Sequence, residues 1–152
     1  MRIREIISAK SRAAGGSEGS TPAVVTVRPD ATVTELLGVL AEHNVGALVV
    51  SSDGRTVEGI VSERDVVRRL HADPSVLSSN VEAIMTRDVH TCPSDTTLDD
   101  LMGEMTRRRF RHVPVVDDGV MVGIVSIGDV VKHKIDALQF ERDQLDSYVH
   151  QT

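Results

Sequence analysis

The chain has 152 residues, a formal net charge of −6, 40% hydrophobic residues and 2% aromatic ones. That is enough chain for one compact unit, or for two small ones sharing a core, and the scarcity of aromatics means a core of Val, Leu, Ile and Ala. The acidic balance argues against a nucleic-acid binder. Apolar runs such as Gly46-Ala47-Leu48-Val49-Val50 are too short to span a bilayer. The start, Met1-Arg2-Ile3-Arg4-Glu5-Ile6-Ile7, lacks the apolar stretch of a signal peptide. Cys92 is the only cysteine, so no intrachain disulfide can form, and a cytoplasmic protein is the simplest reading.

In chain order, a short helix is expected over Ile3–Ser8, then a Gly/Ser-rich stretch, 13–20, that composition marks as a flexible loop. A strand over Ala23–Val27 leads to a helix with capping signals in Thr32-x-x-Glu35 and an apolar stripe of Val33, Leu36, Leu37 and Leu40. A strand at Ala47–Val50, a turn at Asp53-Gly54, a returning strand at Val57–Val61 and a helix from Asp65 complete the set. The same order then recurs. A short helix at Val81–Thr86 is followed by a strand at Val89–Cys92. A helix comes next, capped by Thr97-x-x-Asp100 and striped by Leu98, Leu101, Met102 and Met105. A hairpin, His112–Val116 and Val120–Val125, turns at Asp118-Gly119, and a helix starts at Asp129.

The duplication is clearest in Gly59-Ile60-Val61-Ser62-Glu63-Arg64-Asp65 and Gly123-Ile124-Val125-Ser126-Ile127-Gly128-Asp129, 64 residues apart. A self-match at fixed spacing marks a repeat architecture. Each β-α-β-β-α copy makes a three-stranded sheet with helices on one face and is too small to cover that sheet alone. The expected fold is therefore α+β, an α/β sandwich of two copies packed sheet to sheet about a pseudo-two-fold, plus a C-terminal helix. About Val130 to Val149 reads as one helix, with a stripe of Ile135, Leu138, Leu145 and Val149 interrupted by Arg142. Two placements of the stripe stay open: against the tail's own domain, or against a second subunit.

Val81–Thr86, the run Arg111-His112-Val113-Pro114-Val115-Val116 and the two Gly-Ile-Val-Ser-x-x-Asp segments together resemble the tandem CBS-domain family, the arrangement called a Bateman module. The resemblance covers Ile3 to about Lys134, and the tail through Tyr148 is similar to that of small stand-alone bacterial CBS-pair proteins. It implies CBS repeats at 1–70 and 71–134 and a helical tail at 135–152. It also implies a regulatory signalling or energy-sensing module, not an enzyme. Such a module binds AMP, ADP, ATP, NAD(H) or S-adenosylmethionine in clefts between the repeats, dimerises into a flat disc of four CBS units and acts on a protein target. The alternative is an interaction adaptor that works without nucleotide.

A carboxylate can accept both hydroxyl hydrogens of a cis diol, and Asp65 and Asp129 match the family's diol-binding Asp, with Ser62 and Ser126 as the hydroxyl beside ribose or the first phosphate. The bland reading of each Asp is a helix cap. By resemblance, the cleft of Asp129 draws on Ser126, Ile124, Arg111 and His112, with Val25 and Thr26 on adenine and Val45 and Gly46 beside them. The cleft of Asp65 draws on Ser62, Ile60, Gly46, Ala47 and Arg64, with His90, Thr91, Phe110 and Arg111 from the other copy. Because Gly46-Ala47 stand where the second copy has Arg111-His112, phosphate charge is expected to be better met near Asp129. Arg64 is the compensating cation near Asp65, partly offset by Glu63.

The run Arg107-Arg108-Arg109-Phe110-Arg111-His112 is the strongest basic cluster, suited to phosphate or simply to a helix C-terminus. The six histidines, at 43, 71, 90, 112, 133 and 150, show no metal-ligand spacing. Cys92, in a predicted strand, reads as a small core residue. No nucleophile-base-orienter set is visible, so neither catalysis nor a metal is expected.

Overall fold

Thr32 and Thr97 start the two matching helices as their spacing requires. In the computed structural model, which describes residues 1–13 and 24–150, the Thr32 hydroxyl accepts the Glu35 N–H at 3.1 Å and the Thr97 hydroxyl accepts that of Asp100 at 3.2 Å. They open α2 (Val33–His43) and α4 (Leu98–Arg108). The helical stripes bury Val33, Leu36 and Leu40 on α2, and Leu98, Leu101 and Met105 on α4. Each helix ends in the left-handed region, at Asn44 (φ 52°) and Arg109 (φ 58°). The loop expected at 13–20 lies, from residue 14 on, outside the described residues.

The first sheet has the order β1 (Thr26–Val27), β2 (Ala47–Val50), β3 (Gly59–Ser62), the first pair parallel and the second antiparallel. The second pairs β4 (His112–Asp117) with β5 (Val120–Ser126). The strand expected at Val89–Cys92 shrinks to one bridge, Cys92 with Val115. Pro93 follows at once and has no N–H to extend a ladder, so this sheet has two strands where three were expected. Asp118 (φ 51°) and Gly119 (φ 77°) both take positive φ at the β4–β5 turn, as a tight two-residue hairpin demands. In the other hairpin the Asp53 carboxylate accepts the N–H groups of Thr56 and Arg55 at 2.8 Å each, which hold its pKa well below the usual carboxylate range.

Neither core is built from one stretch of chain. The helix that precedes the first repeat, α1 (Ile3–Ala13), places Ile3, Ile6 and Ile7 in a core with Leu98, Leu101, Val113 and Val125 of the second repeat. The segment that precedes the second repeat returns the exchange, with Val76, Val81 and Ile84 among Val27, Val33, Leu48 and Val61. The two segments differ in shape. α1 outruns its expected end at Ser8, whereas Val81–Thr86 forms only a 3-10 turn, Val81–Ala83, after another at Pro74–Ser78. Thr86 is withdrawn from helix by two backbone bonds with Ile60 of β3, both 2.9 Å.

The crossings are close enough to need glycine. A Cβ on Gly59 would lie 2.6 Å from Met85 Sδ and 3.0 Å from the Thr86 carbonyl oxygen; one on Gly123, its counterpart, would lie 3.0 Å from two carbons of Ile7.

After β3 comes α3 (Glu63–Ala72), and after β5 comes α5 (Ile127–Val149), which joins the last helix of the second repeat and the tail in one rod. Val130 is buried, but Ile135, Leu138, Leu145 and Val149 are 49–66% exposed, so the stripe does not pack on its own domain. Among the described residues, no helix is long and apolar enough to cross a membrane.

The glycines give a signed test. Gly59→Ala should cost about 1–3 kcal/mol through overpacking. Gly38→Ala, in α2 with nothing within 4 Å of its Cβ, should gain roughly 0.5–1 kcal/mol. Urea unfolding of the two variants measures both signs.

Candidate functional site

Ser62 and Ser126 end β3 and β5 in extended conformation and cap α3 and α5. Each serine oxygen accepts the backbone N–H three residues on, from Asp65 at 3.3 Å and from Asp129 at 3.1 Å. Each Asp answers with Oδ2, which accepts the Ser62 or Ser126 N–H at 2.9 Å. The serines are thus the caps, and the aspartates stand at the third helical position of a capping box. This local chemistry fixes both carboxylates while using one oxygen of each. The Oδ1 atoms of Asp65 and Asp129 take no hydrogen bond among the described residues.

Asp65 lines a cavity of about 390 Å³ between the repeats. Ile60, Ser62, Arg64, Gly46 and Ala47 line it from the first repeat, and His90, Phe110 and Arg111 from the second, all as expected for this cleft. Thr91 does not line it; Thr86, Asp88, Arg109 and His112 do. The Phe110 ring stacks on His90 with centroids 5.0 Å apart and planes 17° from parallel, and Glu104 pairs with His90. None of Arg64, Arg109 and Arg111 is paired with a carboxylate among the described residues. Burial, then the Lys10 charge, pushes the His112 imidazole below its ordinary pKa, with Arg111 adding to the effect and Asp129 and Glu63 opposing it.

A smaller cavity, about 160 Å³, is walled by Val24, Val25, Val45, Leu48 and Ile124, with Ala47, Gly123, Ile7 and Lys10. Val25, Val45 and Ile124 are where the sequence put them. Gly46 and Arg111, expected in both clefts, line the Asp65 cavity alone, as does His112, and Thr26, Ser126 and Asp129 line neither. The backbone explains the placement. The Glu63 N–H donates to Gly46 O at 2.9 Å and the Ile127 N–H to Arg111 O at 2.8 Å, which ties each hairpin start to the helix start of its own repeat. The unpaired guanidiniums are therefore on the Asp65 side, the reverse of the expected bias.

Lys10, in the last turn of α1, carried no sequence signal. Its Nζ donates to Asp129 Oδ2 at 2.8 Å and to Ile124 O at 2.9 Å. Burial works to raise the Asp129 pKa, but the Lys10 hydrogen bond, the Ser126 N–H and the Lys10 charge outweigh it, so the carboxyl sits below its ordinary value. Cys92 is buried in the second core, where burial pushes its thiol up. Among the described residues, no group of three or more His, Cys, Asp or Glu could hold a metal.

A family model for the CBS domain matches residues 20–72 and 81–136. The chain is 34% identical over 152 residues to the mitochondrial CBS domain-containing protein CBSX3 of Arabidopsis thaliana, covering 97% of this chain and 71% of that one. The crystal structure of the CBS-domain containing protein ATU1752 from Agrobacterium tumefaciens superposes with a TM-score of 0.76 at 38% identity, over 88% of this chain and 99% of that one. The CBS domain pair of protein MJ0100, solved in complex with 5′-methylthioadenosine and S-adenosyl-L-methionine, gives a TM-score of 0.70 at 26% identity, over 87% and 98%.

The Lys10–Asp129 pair predicts an acid limb. An acid with a depressed folded pKa adds stability above its unfolded pKa and loses it as pH falls through the folded one. Wild type should exceed Lys10→Met in stability at pH 6–7, and the gap should close as pH drops below about 4. Urea titrations at pH 7 and pH 3 measure it; a gap equal at both would refute the assignment.

Proposed function

The chain belongs to the CBS-domain family as a tandem pair, a regulatory module, and we propose that it binds an adenosine-containing ligand, AMP, ADP, ATP or NAD(H), between its repeats. Binding is then passed through a homodimer to a protein target in the cytoplasm.

One observation carries this reading: a capping box holds each aspartate with one carboxylate oxygen engaged and, among the described residues, the other without a partner, and Asp65 so held lines a cavity between the repeats. A carboxylate so held is ordered before a ribose diol arrives, so accepting its hydroxyl hydrogens carries little ordering cost. Val25, Val45 and Ile124 offer apolar flanks to a flat base in one cavity, and Phe110 over His90 offers a stacked pair in the other. Both ligands of the MJ0100 pair carry an adenosyl group, which supports the class of ligand and leaves the 5′ substituent open. Ser62, Ser126 and Arg64 act on the ribose and phosphate side, and Thr26 offers its backbone to adenine.

The dimer reading rests on α5. Ile135, Leu138, Leu145 and Val149 leave an apolar stripe exposed, and Val67 on α3 is 65% exposed. An adaptor function is the second reading, favoured by that stripe alone.

Calorimetric titration with AMP, ATP, NAD and NADH should give micromolar binding, with Asp65→Ala or Asp129→Ala costing at least tenfold, or about 1.4 kcal/mol, at its own cleft. NADP should bind much more weakly than NAD, because a carboxylate at the diol repels a 2′-phosphate. No binding by any of the four would leave the adaptor. Light scattering should report a dimer for wild type and a monomer for Leu138→Glu.

A further inference from the structure

We infer that Lys10 is a built-in occupant of the Asp129 carboxylate, and that it sets the order of filling: the Asp65 cleft first, the Asp129 cleft only for a ligand that displaces the ammonium. The inference rests on the ligand reading above.

The two aspartates share the same motif, helix position and capping box. They differ in one partner. Asp129 Oδ2 accepts Lys10 Nζ at 2.8 Å, whereas Asp65 has no ion pair among the described residues. The difference follows from the exchanged segments. α1 continues past Ser8 for enough helix to carry a cation over the cleft. Its counterpart stops at Ala83, and the stretch from Val81 to Thr86 holds no Lys or Arg to do the same at Asp65.

Lys10 spends two of its three ammonium donors on Asp129 and on the Ile124 carbonyl. A neutral diol that grips both carboxylate oxygens must displace Lys10 from Oδ2, which already accepts the Ser126 N–H as well, and it returns no charge to the half-buried cation. A ligand with a phosphate returns some of that loss by accepting the released ammonium. At Asp65 no bond of this kind has to break. Three guanidiniums unpaired among the described residues stand there, offset in part by Glu63 and Asp88, and the space of about 390 Å³ lies in the range usual for small-molecule sites.

The test uses full-length protein with adenosine and AMP as probes. Asp65→Ala isolates the Asp129 cleft, and Asp129→Ala isolates the other. Adding Lys10→Met to Asp65→Ala should raise adenosine affinity about tenfold and AMP affinity by less, since the phosphate loses its cation. Adding it to Asp129→Ala should change nothing. Lys10→Gln, which keeps a donor without the charge, should move adenosine in the same direction, and thermal melts check that each variant is folded. Adenosine affinity unchanged or lowered at the Asp129 cleft by both Lys10 variants, with wild type still binding, overturns the occupant role alone. No binding of either probe by wild type or any Lys10 variant overturns both this inference and the ligand reading.

Discussion

The exchange of the leading segments is the constraint from which the rest of the molecule follows. A two-stranded sheet with α4 and part of α5 cannot bury Val113, Val115 and Val125 without Ile3, Ile6 and Ile7, which lie more than a hundred residues away along the chain. Val27, Leu48 and Val61 depend in the same way on Val76, Val81 and Ile84. Units this small bury too little surface to stand alone, and here each completes the other. The halves are interlocked more than docked, so the space between them is held at a set width. Gly59 and Gly123 mark where that interlock presses backbone against side chain.

The capping boxes couple fold to chemistry at the level of single atoms. A helix that starts directly from a strand has unpaired N–H groups at its first turn, and Ser-x-x-Asp satisfies them reciprocally. The solution points a carboxylate at the gap between the sheets as a by-product. The same residues would be present for structural reasons alone, which is why the motif in isolation says little. What gives it meaning is the repetition in the two halves, with Asp65 lining a cavity between them, and the contrast between a carboxylate with an ammonium partner and one without.

Local patterns were legible and long-range ones were not. Ala47–Val50 begins and ends where the apolar run does, and Thr32 and Thr97 cap as their spacing requires, because those choices depend on neighbours in sequence. The Asp65 cleft was largely legible too: Gly46, Ile60, Ser62, Arg64, His90 and Phe110 all line it. The exchange left no trace in periodicity, since an apolar face does not say which core it enters. Taking α1 to stop at Ser8 hid Lys10, which lies one half-turn further on. The expected third strand at Val89–Cys92 has the residues of a strand, but Pro93 and the stacking of His90 leave it one bridge. Arg111 and His112 line the Asp65 cavity because one cavity draws on both hairpin starts, which counting residues per repeat does not show.

α5 is a single helix of 23 residues, about 34 Å from end to end at 1.5 Å per residue. Its first turn contains Asp129, and in its last three turns Phe140, Leu145, Tyr148 and Val149 are all exposed. Such a rod behaves as a lever with its pivot at the cleft. A tilt of roughly ten degrees at Ile127 would carry Val149 through about 6 Å, an amplification that the short α3, ending at Ala72, cannot match. The molecule is therefore mechanically lopsided: two similar clefts, only one of which is attached to a long pointer.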